Sequence, residues 1–276
     1  MLSTDDHSRD SAGLRYVYPV VSRRAGGVSV GVNLNPNNAC NWACVYCQVE
    51  GLSRGGPPPI DLERLERELA GFLDAALHGD FMRDHVPESA RRLMDVAFSG
   101  NGEPTSAAEF AEAIDLVVGL VGRLAPGLTI RLITNGSLVH RPVVQEGLRC
   151  LGAAGGEVWF KLDRALADEA ALVNGVPWSP EKAARNLGLC AGLVRTWVQT
   201  CWFAVDGLAP PAASQQAYCE LLRPLAPVLA GVHLYGLARP SLQPAAARLS
   251  SLPYETLAAF AARIEKETGL RVNVSP

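Results

Sequence analysis

The feature that most constrains the fold is a regular alternation of short apolar stretches with amphipathic ones. Six apolar stretches have the length of strands, and they are residues 28–34, 95–99, 128–134, 157–162, 197–203 and 231–235. Short strands that alternate with helices are typical of a parallel sheet with right-handed crossovers. Six units are too few for a closed eight-fold barrel. The sequence therefore predicts an α/β fold built as an open or partial (β/α)6 barrel, with outer helices, rather than a doubly wound sheet.

The helices predicted between these strands have clear sequence signals. Asp61 is a good N-cap for a helix with apolar residues from Leu62 to Ala76 at helical spacing. Pro180 suits the first turn of another helix, and Gly269 suits a helix end. The remaining helices are predicted at residues 107–124, 142–151, 179–193, 214–225 and 254–268, with a short helix inside 78–94 and a last short strand at 271–274.

Length and composition favour one globular core. A chain of 276 residues with 48% hydrophobic and 19% charged residues is typical of a soluble protein, and no shift in composition marks a second domain. We predict an N-terminal lead segment at residues 1–27 and one core domain at 28–276. The polar, acidic start lacks a signal-peptide pattern, and no apolar run approaches the roughly 18 residues of a membrane span. We therefore expect a cytoplasmic protein with no membrane partner.

Three clustered cysteines suggest a metal centre. Cys40, Cys44 and Cys47 follow the first predicted strand with the spacing C-x3-C-x2-C. Tetrahedral structural zinc needs a fourth protein ligand, and no Cys or His lies at a matching distance in the sequence. A [4Fe–4S] cluster held by three cysteines keeps one iron open for another ligand. The other four cysteines, Cys150, Cys190, Cys201 and Cys219, are interpreted as buried apolar residues.

Polar residues follow several of the other strands. In a barrel the carboxyl ends of the strands carry the site. Gly100, Gly102, Glu103 and Pro104 form a turn after the second strand, where a carboxylate could hold an ammonium group. The same turn is also explained as a tight strand–helix connection. Thr134 and Asn135 follow the third strand; they suit a ribose, but they equally suit the cap of the next helix.

The later strands contribute further candidates. Lys161 and Asp163 share one face of the fourth strand with Trp159, because side chains alternate along a strand. Gln199 lies in an apolar run, so we expect it to have a hydrogen-bond partner in a polar pocket. Arg239 follows the sixth strand, where it could pair with a carboxylate or phosphate.

The cysteine motif, with Tyr46 just before its last cysteine, resembles the signature of the radical S-adenosylmethionine (SAM) superfamily. Gly102-Glu103-Pro104 resembles the second motif of that family, which binds the methionine amino group, although Asn101 replaces the more usual Gly. The resemblance extends over residues 28–237. Thr134-Asn135-Gly136 and Lys161-Leu162-Asp163 are similar in style to the branch that contains wyosine-tRNA enzymes and iron–sulfur oxidoreductases.

The resemblance implies both cofactors and an activity. Cys40, Cys44 and Cys47 would ligate a [4Fe–4S] cluster, and SAM would chelate the open iron. Reductive cleavage of SAM would give a 5′-deoxyadenosyl radical that abstracts hydrogen from a substrate. The implied cofactor-binding residues are Tyr46, Gly100, Gly102, Glu103, Pro104, Thr134, Asn135, Lys161, Asp163, Gln199 and Arg239. The implied partners are SAM and a reducing protein such as flavodoxin or ferredoxin.

Two alternatives remain open from the sequence. One is a metal-binding module without turnover, which would use the cysteines for zinc or a structural cluster. The other concerns the substrate, which could be a small molecule, a peptide or an RNA such as tRNA. A net charge of −3 and the absence of a concentrated basic stripe argue against a large nucleic-acid footprint. The pairs Arg23-Arg24 and Arg91-Arg92 are interpreted as ordinary solvated charges.

Overall fold

The computed structural model describes residues 13–22 and 26–275, so Arg23 and Arg24 lie outside the described residues. The described strands are listed here in chain order: β1 (Val17–Ser22), β2 (Gly27–Val32), β3 (Ala39–Cys40), β4 (Ser53–Arg54), β5 (Leu93–Phe98), β6 (Thr129–Thr134), β7 (Glu157–Lys161), β8 (Arg195–Cys201), β9 (Ala204–Val205), β10 (Gly231–Tyr235), β11 (Leu249–Ser250) and β12 (Val272–Ser275).

The helices occupy most of the connections between the long strands. The α-helices are α1 (Leu62–Leu77), α2 (Phe81–His85), α3 (Phe110–Leu124), α4 (Pro142–Ala153), α5 (Ala167–Asn174), α6 (Pro180–Ala191), α7 (Ala212–Leu222) and α8 (Tyr254–Thr268). Short 3-10 helices occur at Glu88–Ala90, Pro104–Ser106, Arg223–Val228 and Ala246–Arg248.

Contacts divide the chain into two compact units, which are described separately. The first unit comprises Met1–Asn41, Gly55–Ile133 and Arg141–Glu157, and the second comprises Trp42–Arg54, Thr134–His140 and Val158–Pro276. The predicted boundary between residues 27 and 28 stays a prediction. The structure adds that β1, which lies within the predicted lead segment, pairs with β2 along its whole length.

The first unit is a sheet with helices packed on it. Its long strands run in the order β1-β2-β5-β6; β1 is antiparallel to β2, whereas β2, β5 and β6 are parallel. All six residues of β2 are buried, as expected for a strand inside a parallel sheet. Asp61 caps α1 as predicted, because its side chain accepts the Arg64 N–H at 2.9 Å. The helix α3 packs against α1 and α4.

The second unit repeats this arrangement. Its strands run in the order β7-β8-β10-β12, and β8, β10 and β12 are parallel. One face of β8 points toward the helices, since the Thr200 hydroxyl bonds the Tyr218 hydroxyl of α7 at 2.6 Å. The opposite face carries Trp197, Gln199 and Cys201. The helix α8 ends at Gly269 as predicted, where φ is +75°.

The six predicted core strands and the predicted helices between them all form, with ends shifted by a few residues. The sequence did not predict β1, and it did not predict α5. Among the described residues, no helix is both long enough and apolar enough to cross a membrane.

Candidate active site

The cysteine motif follows the first strand of the parallel sheet. Cys40 ends β3, and Cys44 and Cys47 come directly after it in the chain. All three are half-buried free thiols. As the side chains stand, the described residues contain no group of three or more His, Cys, Asp or Glu arranged to hold a metal ion. The chemistry of the donor set still suits a soft iron–sulfur centre, because accessible free thiols can ionise and bind iron.

The backbone around Cys44 is fixed by the end of α5. The Ala43 N–H donates to the Asn174 carbonyl at 3.0 Å, and the Val45 N–H donates to the Val173 carbonyl at 2.8 Å. Gly175 follows with φ of +66°, and a Cβ there would lie only 2.5 Å from the Ala43 oxygen. The close approach of the loop to α5 therefore requires glycine at this position.

The backbone around Cys47 is fixed by a segment far along the chain, residues 241–243, which we call the clamp. The Leu242 N–H and the Gln243 side-chain amide both donate to the Cys47 carbonyl, at 3.0 and 3.2 Å. The Ser241 hydroxyl donates to the Val45 carbonyl at 2.7 Å. These bonds fix the backbone of the loop at Val45 and Cys47.

The glycine-rich turn lies in the first unit after β5. The Asn33 side-chain oxygen accepts the N–H groups of Asn35 and Asn101, at 3.0 and 3.1 Å. A Cβ on Gly102 would lie 2.1 Å from the Ala39 oxygen, so the backbone of the turn touches the residue before Cys40. The turn therefore needs glycine at position 102 to reach this place.

Glu103 and Asn101 give the turn two buried oxygen acceptors. Glu103 is 3% exposed, and one of its oxygens accepts the Thr105 N–H at 3.2 Å and the Thr105 hydroxyl at 2.6 Å. The Asn101 amide donates to the Asn38 side-chain oxygen at 2.6 Å. Within the described residues, the buried Asn101 oxygen Oδ1 accepts no hydrogen bond. A ligand that brings N–H donors to the turn, such as an ammonium group, would satisfy this acceptor. The residues present therefore fit the amino group of SAM.

Thr134 and Asn135 organise the turn that follows β6. The Thr134 hydroxyl accepts the Gly136 N–H at 3.0 Å, and the Asn135 oxygen accepts the Ser137 N–H at 3.0 Å. Both residues are nearly fully buried. Side-chain bonds of this kind stabilise a tight turn. The alternative that they cap the next helix is wrong, because α4 begins at Pro142 and its N-cap is Arg141; the role at a ribose stays a prediction.

Lys161, Asp163 and Tyr46 meet in one hydrogen-bonded network of the second unit. Asp163 accepts the Tyr46 hydroxyl at 2.6 Å, the Lys161 ammonium at 3.0 Å and the Cys201 N–H at 2.8 Å. The Lys161 ammonium also donates to the Tyr235 hydroxyl at 2.6 Å. The contact between Lys161 and Asp163 agrees with the prediction that the two share one face of the strand, and the network connects the cysteine loop to β7, β8 and β10.

Burial and charge shift the pKa values of this network. Burial alone would lower the pKa of Lys161, but the nearby Asp163 and Tyr235 outweigh it and raise this pKa above its ordinary value. Burial, and then the charge of Asp163, raises the pKa of Tyr46 well above its ordinary value. At neutral pH Lys161 is therefore an ammonium and Tyr46 a neutral phenol.

The sequence missed Arg164, which follows Asp163 and is 3% exposed. Its guanidinium donates to the carbonyl oxygens of Asp163, Cys201 and Phe203, at 2.7, 3.1 and 3.1 Å. It also lies over the Trp202 ring, 4.3 Å from the centroid. Burial lowers the pKa of this guanidinium. A buried arginine that joins the ends of two strands, β7 and β8, gives no sequence signal, because its role depends on backbone carbonyls.

Gln199 and Arg239 stay predicted site residues. Gln199 lies in β8 and is 2% exposed. Arg239 is half-buried, and its carbonyl accepts the Gln48 side-chain amide at 3.4 Å. This contact places the backbone of Arg239 beside the residue after Cys47.

Comparison with solved structures identifies the fold. A radical SAM methyltransferase from Sphaerobacter thermophilus matches 94% of this chain and 68% of its own, with a TM-score of 0.61 and 16% identity. A structure titled anSMEcpe with bound AdoMet matches 89% of this chain and 63% of its own, with a TM-score of 0.55 and 16% identity. HydG, a maturase of the [FeFe]-hydrogenase, gives a TM-score of 0.52 over 89% of this chain and 50% of its own, at 14% identity.

These matches confirm the predicted resemblance at the level of the fold. The chain has an α/β fold like that of a radical SAM enzyme, with mainly parallel strands. Identities of 14 to 16% carry no information on substrate.

Sequence comparison finds relatives of higher identity. A UPF0026 protein of Helicobacter pylori is 29% identical over 132 residues, which cover 48% of this chain and 38% of that protein. A UPF0026 protein of Synechocystis sp. is 25% identical over 159 residues, covering 57% of this chain and 52% of that protein. The chain thus matches about half the length of these relatives or less. No protein-family model matches the chain.

Proposed function

We propose that this protein is a radical SAM enzyme that holds a [4Fe–4S] cluster on Cys40, Cys44 and Cys47. One observation carries the proposal: three free thiols with this spacing lie on the loop after the first parallel strand, in a chain with the radical SAM fold. The three cysteines would leave one iron open. When bound, the cluster and SAM supply a one-electron cleavage of the SAM S–C5′ bond and a 5′-deoxyadenosyl radical that abstracts hydrogen from the substrate.

The chain's own residues would bind and orient SAM. Glu103 and the Asn101 oxygen are buried acceptors for the SAM ammonium group, and Gly102 lets the backbone of the turn stay close to Ala39. Gly100 and Pro104 shape the same turn. Thr134 and Asn135 are proposed for the ribose. These assignments rest on the positions of the residues at strand ends and on the motif resemblance.

Tyr46 would pack against the adenine, and the network behind it would keep its ring in place. The ring lies edge-on to Phe203 with centroids 5.5 Å apart, while its hydroxyl bonds Asp163. The Lys161 ammonium lies 5.1 Å from the Tyr46 ring centroid. A side chain fixed on three sides costs little further entropy when a ligand binds. Lys161, Asp163 and Arg239 are proposed as a second group of cofactor contacts.

The electron donor is proposed to be a small redox protein such as flavodoxin or ferredoxin. The substrate is proposed to be a small molecule, a peptide or an RNA; a tRNA-modifying enzyme is the narrower possibility, suggested by the branch resemblance. A cytoplasmic site of action agrees with the oxygen-sensitive cofactor.

Anaerobic reconstitution with iron and sulfide tests the proposal. The wild-type protein should bind about four irons per chain, absorb broadly near 400 nm and form 5′-deoxyadenosine from SAM when dithionite is added. Cys44→Ala should lose the cluster absorption and the product, because two thiols do not hold the cluster. Cys150→Ala is the matched control, since this half-buried thiol on α4 lies outside the motif.

The alternative function, a metal module without turnover, predicts a different result. Metal analysis would then find one zinc, or a cluster that leaves SAM intact. Product formation by Cys44→Ala at the wild-type rate would also refute the proposal.

A further inference from the structure

Asn174 is a buried polar residue at the C-terminal end of α5. It is 2% exposed, and the other buried residues of this helix, Ala170 and Val173, are apolar. Asparagine is a poor helix former and is found mostly at protein surfaces. Neither helix propensity nor apolar packing therefore explains an asparagine at this position.

The Asn174 side chain contacts the thiol of Cys44. The Cys44 sulfur donates to the Asn174 oxygen Oδ1 at 3.8 Å, although the two residues are 130 positions apart in the chain. Backbone bonds on both sides of Cys44 set this contact, because the Ala43 N–H donates to the Asn174 carbonyl and the Val45 N–H to the Val173 carbonyl. The backbone therefore holds Cys44 and Asn174 side by side.

The end of α5 is an unfavourable place for a negative charge. The carbonyl groups at the C-terminal end of a helix carry a partial negative charge. The Arg54 guanidinium offsets part of it, since it donates to the Gly175 carbonyl at 3.3 Å. A cysteine binds a metal as a thiolate, so Cys44 as an iron ligand would place a negative sulfur beside this helix end. An N–H donor directed at the sulfur would stabilise it there.

We propose that Asn174 is a positioning residue for the cluster, and that its side-chain N–H donates to the Cys44 sulfur when this sulfur binds iron. The inference rests on the proposed function and deepens it. A primary amide has both a C=O acceptor and N–H donors. The amide accepts from the Cys44 thiol, and after a turn about its terminal side-chain bond it can donate to a thiolate at the same place.

This hydrogen bond would favour the reduced state of the cluster. Reduction by one electron adds a negative charge that is shared by the cysteine sulfurs, so a donor N–H stabilises the reduced state more than the oxidised state. Hydrogen bonds to the sulfurs are among the factors that set the reduction potential of an iron–sulfur cluster. Asn174 would therefore make the cluster easier to reduce by a protein donor of the flavodoxin or ferredoxin class.

Redox titration of the reconstituted protein without SAM, followed by EPR of the reduced cluster, tests the inference. Asn174→Leu keeps the branched shape of the side chain but removes the amide. At the midpoint potential of the wild-type cluster, its ratio of reduced to oxidised cluster should fall about tenfold, which is about 59 mV for one electron. Asn174→Asp replaces the N–H donor by an oxygen of similar size, and at about pH 8.5 it should lower this ratio at least as much.

Asn186→Leu is the matched control. Asn186 lies in the same unit and is 3% exposed, but its amide donates to the Gly136 carbonyl at 2.9 Å, so its loss should leave the ratio unchanged. Pulsed EPR gives a second readout on protein labelled with nitrogen-15 in its asparagine side chains. The reduced wild-type cluster should show a nitrogen-15 coupling that is lost in Asn174→Leu and kept in Asn186→Leu.

An asparagine with a merely structural role would not change the potential of an assembled cluster. An unchanged ratio in Asn174→Leu would therefore overturn the inference, and so would a wild-type ratio in Asn174→Asp, because a carboxylate does not donate. If a variant holds no cluster, the coupling still decides, since its absence from the wild-type protein would overturn the inference. Failure of the wild-type protein to assemble any cluster would instead refute the proposed function, and the inference with it.

Discussion

Asp163→Asn should damage the second unit through the charge that it leaves behind. The Asp163 side chain is fully buried and pairs with Lys161, whose side chain is 12% exposed. Removal of one partner of a buried ion pair typically costs about 3–5 kcal/mol, because the other charge stays buried without compensation. Lys161 can limit the loss by releasing its proton, which at pH 7.5 costs an ordinary lysine about 4 kcal/mol. We therefore expect Asp163→Asn to lower the free energy of unfolding by about 3–4 kcal/mol.

The way the stability of Asp163→Asn changes with pH gives an independent check on the sign of the pKa shift of Lys161. In the folded wild-type protein the pKa of Lys161 is raised above its value of about 10.4 in the unfolded chain. The stability that Lys161 contributes is therefore fully present below about pH 10.4 and is lost as the pH rises through the folded-state pKa. Without Asp163, burial should lower the pKa of Lys161 below the unfolded value. The folded variant then binds fewer protons than the unfolded chain, and the contribution of Lys161 to its stability should rise with pH up to the unfolded value of about 10.4.

Urea unfolding followed by tryptophan fluorescence is a suitable assay, because all five tryptophans lie in the second unit. Asp206→Asn is the matched control: Asp206 pairs with Arg248 at 2.6 Å, but both side chains are more than half exposed, so the midpoint should hardly change. The double variant Lys161→Met with Asp163→Asn should recover much of the loss. Wild-type stability of Asp163→Asn, or a double variant as unstable as the single one, would refute the reasoning.

Two further predictions concern buried thiols and the glycine turn. Burial raises the pKa of Cys190 and of Cys201 to about 12, so their contribution to the free energy of unfolding is fully present below about pH 8.5. Above pH 8.5 that contribution should fall by about 2.7 kcal/mol per pH unit for the two thiols together. Urea midpoints measured between pH 8 and 10 should show this loss, and a midpoint that does not change with pH would contradict it. Gly102→Ala should abolish SAM binding in equilibrium dialysis, because the new Cβ would meet the Ala39 oxygen. The control is Gly71→Ala on α1, where a Cβ has open space around it; this variant should bind SAM normally and gain about 0.5–1 kcal/mol of stability.

The regular part of the fold was predictable because its signals are local. The N-cap Asp61, the stop at Gly269 and the apolar strands each depend on a few neighbouring residues. The strand β1 was missed because Pro19 interrupts its pattern, yet proline is tolerated on an edge strand. The helix α5 was missed because it has only eight residues and little amphipathic pattern.

Only those parts of the site that form local sequence patterns were predictable. The cysteine spacing and Glu103 are visible in the sequence, and so is the alternation that places Lys161 and Asp163 on one face. The contacts that join Asp163 to Tyr46 span 117 residues, and those of Arg164 are made to backbone carbonyls. Neither leaves a local pattern, because each depends on strands that meet only after folding.

The clamp at residues 241–243 also sets a time at which the cysteine loop can be complete. Gln243 reaches back over 196 residues to the Cys47 carbonyl, so the ribosome must translate most of the chain before this bond can form. At about 5–20 residues per second, synthesis of that stretch takes roughly 10–40 s, during which the backbone at Cys47 lacks this bond. The proposed cluster on Cys40, Cys44 and Cys47 is therefore expected to enter the finished chain rather than the growing one.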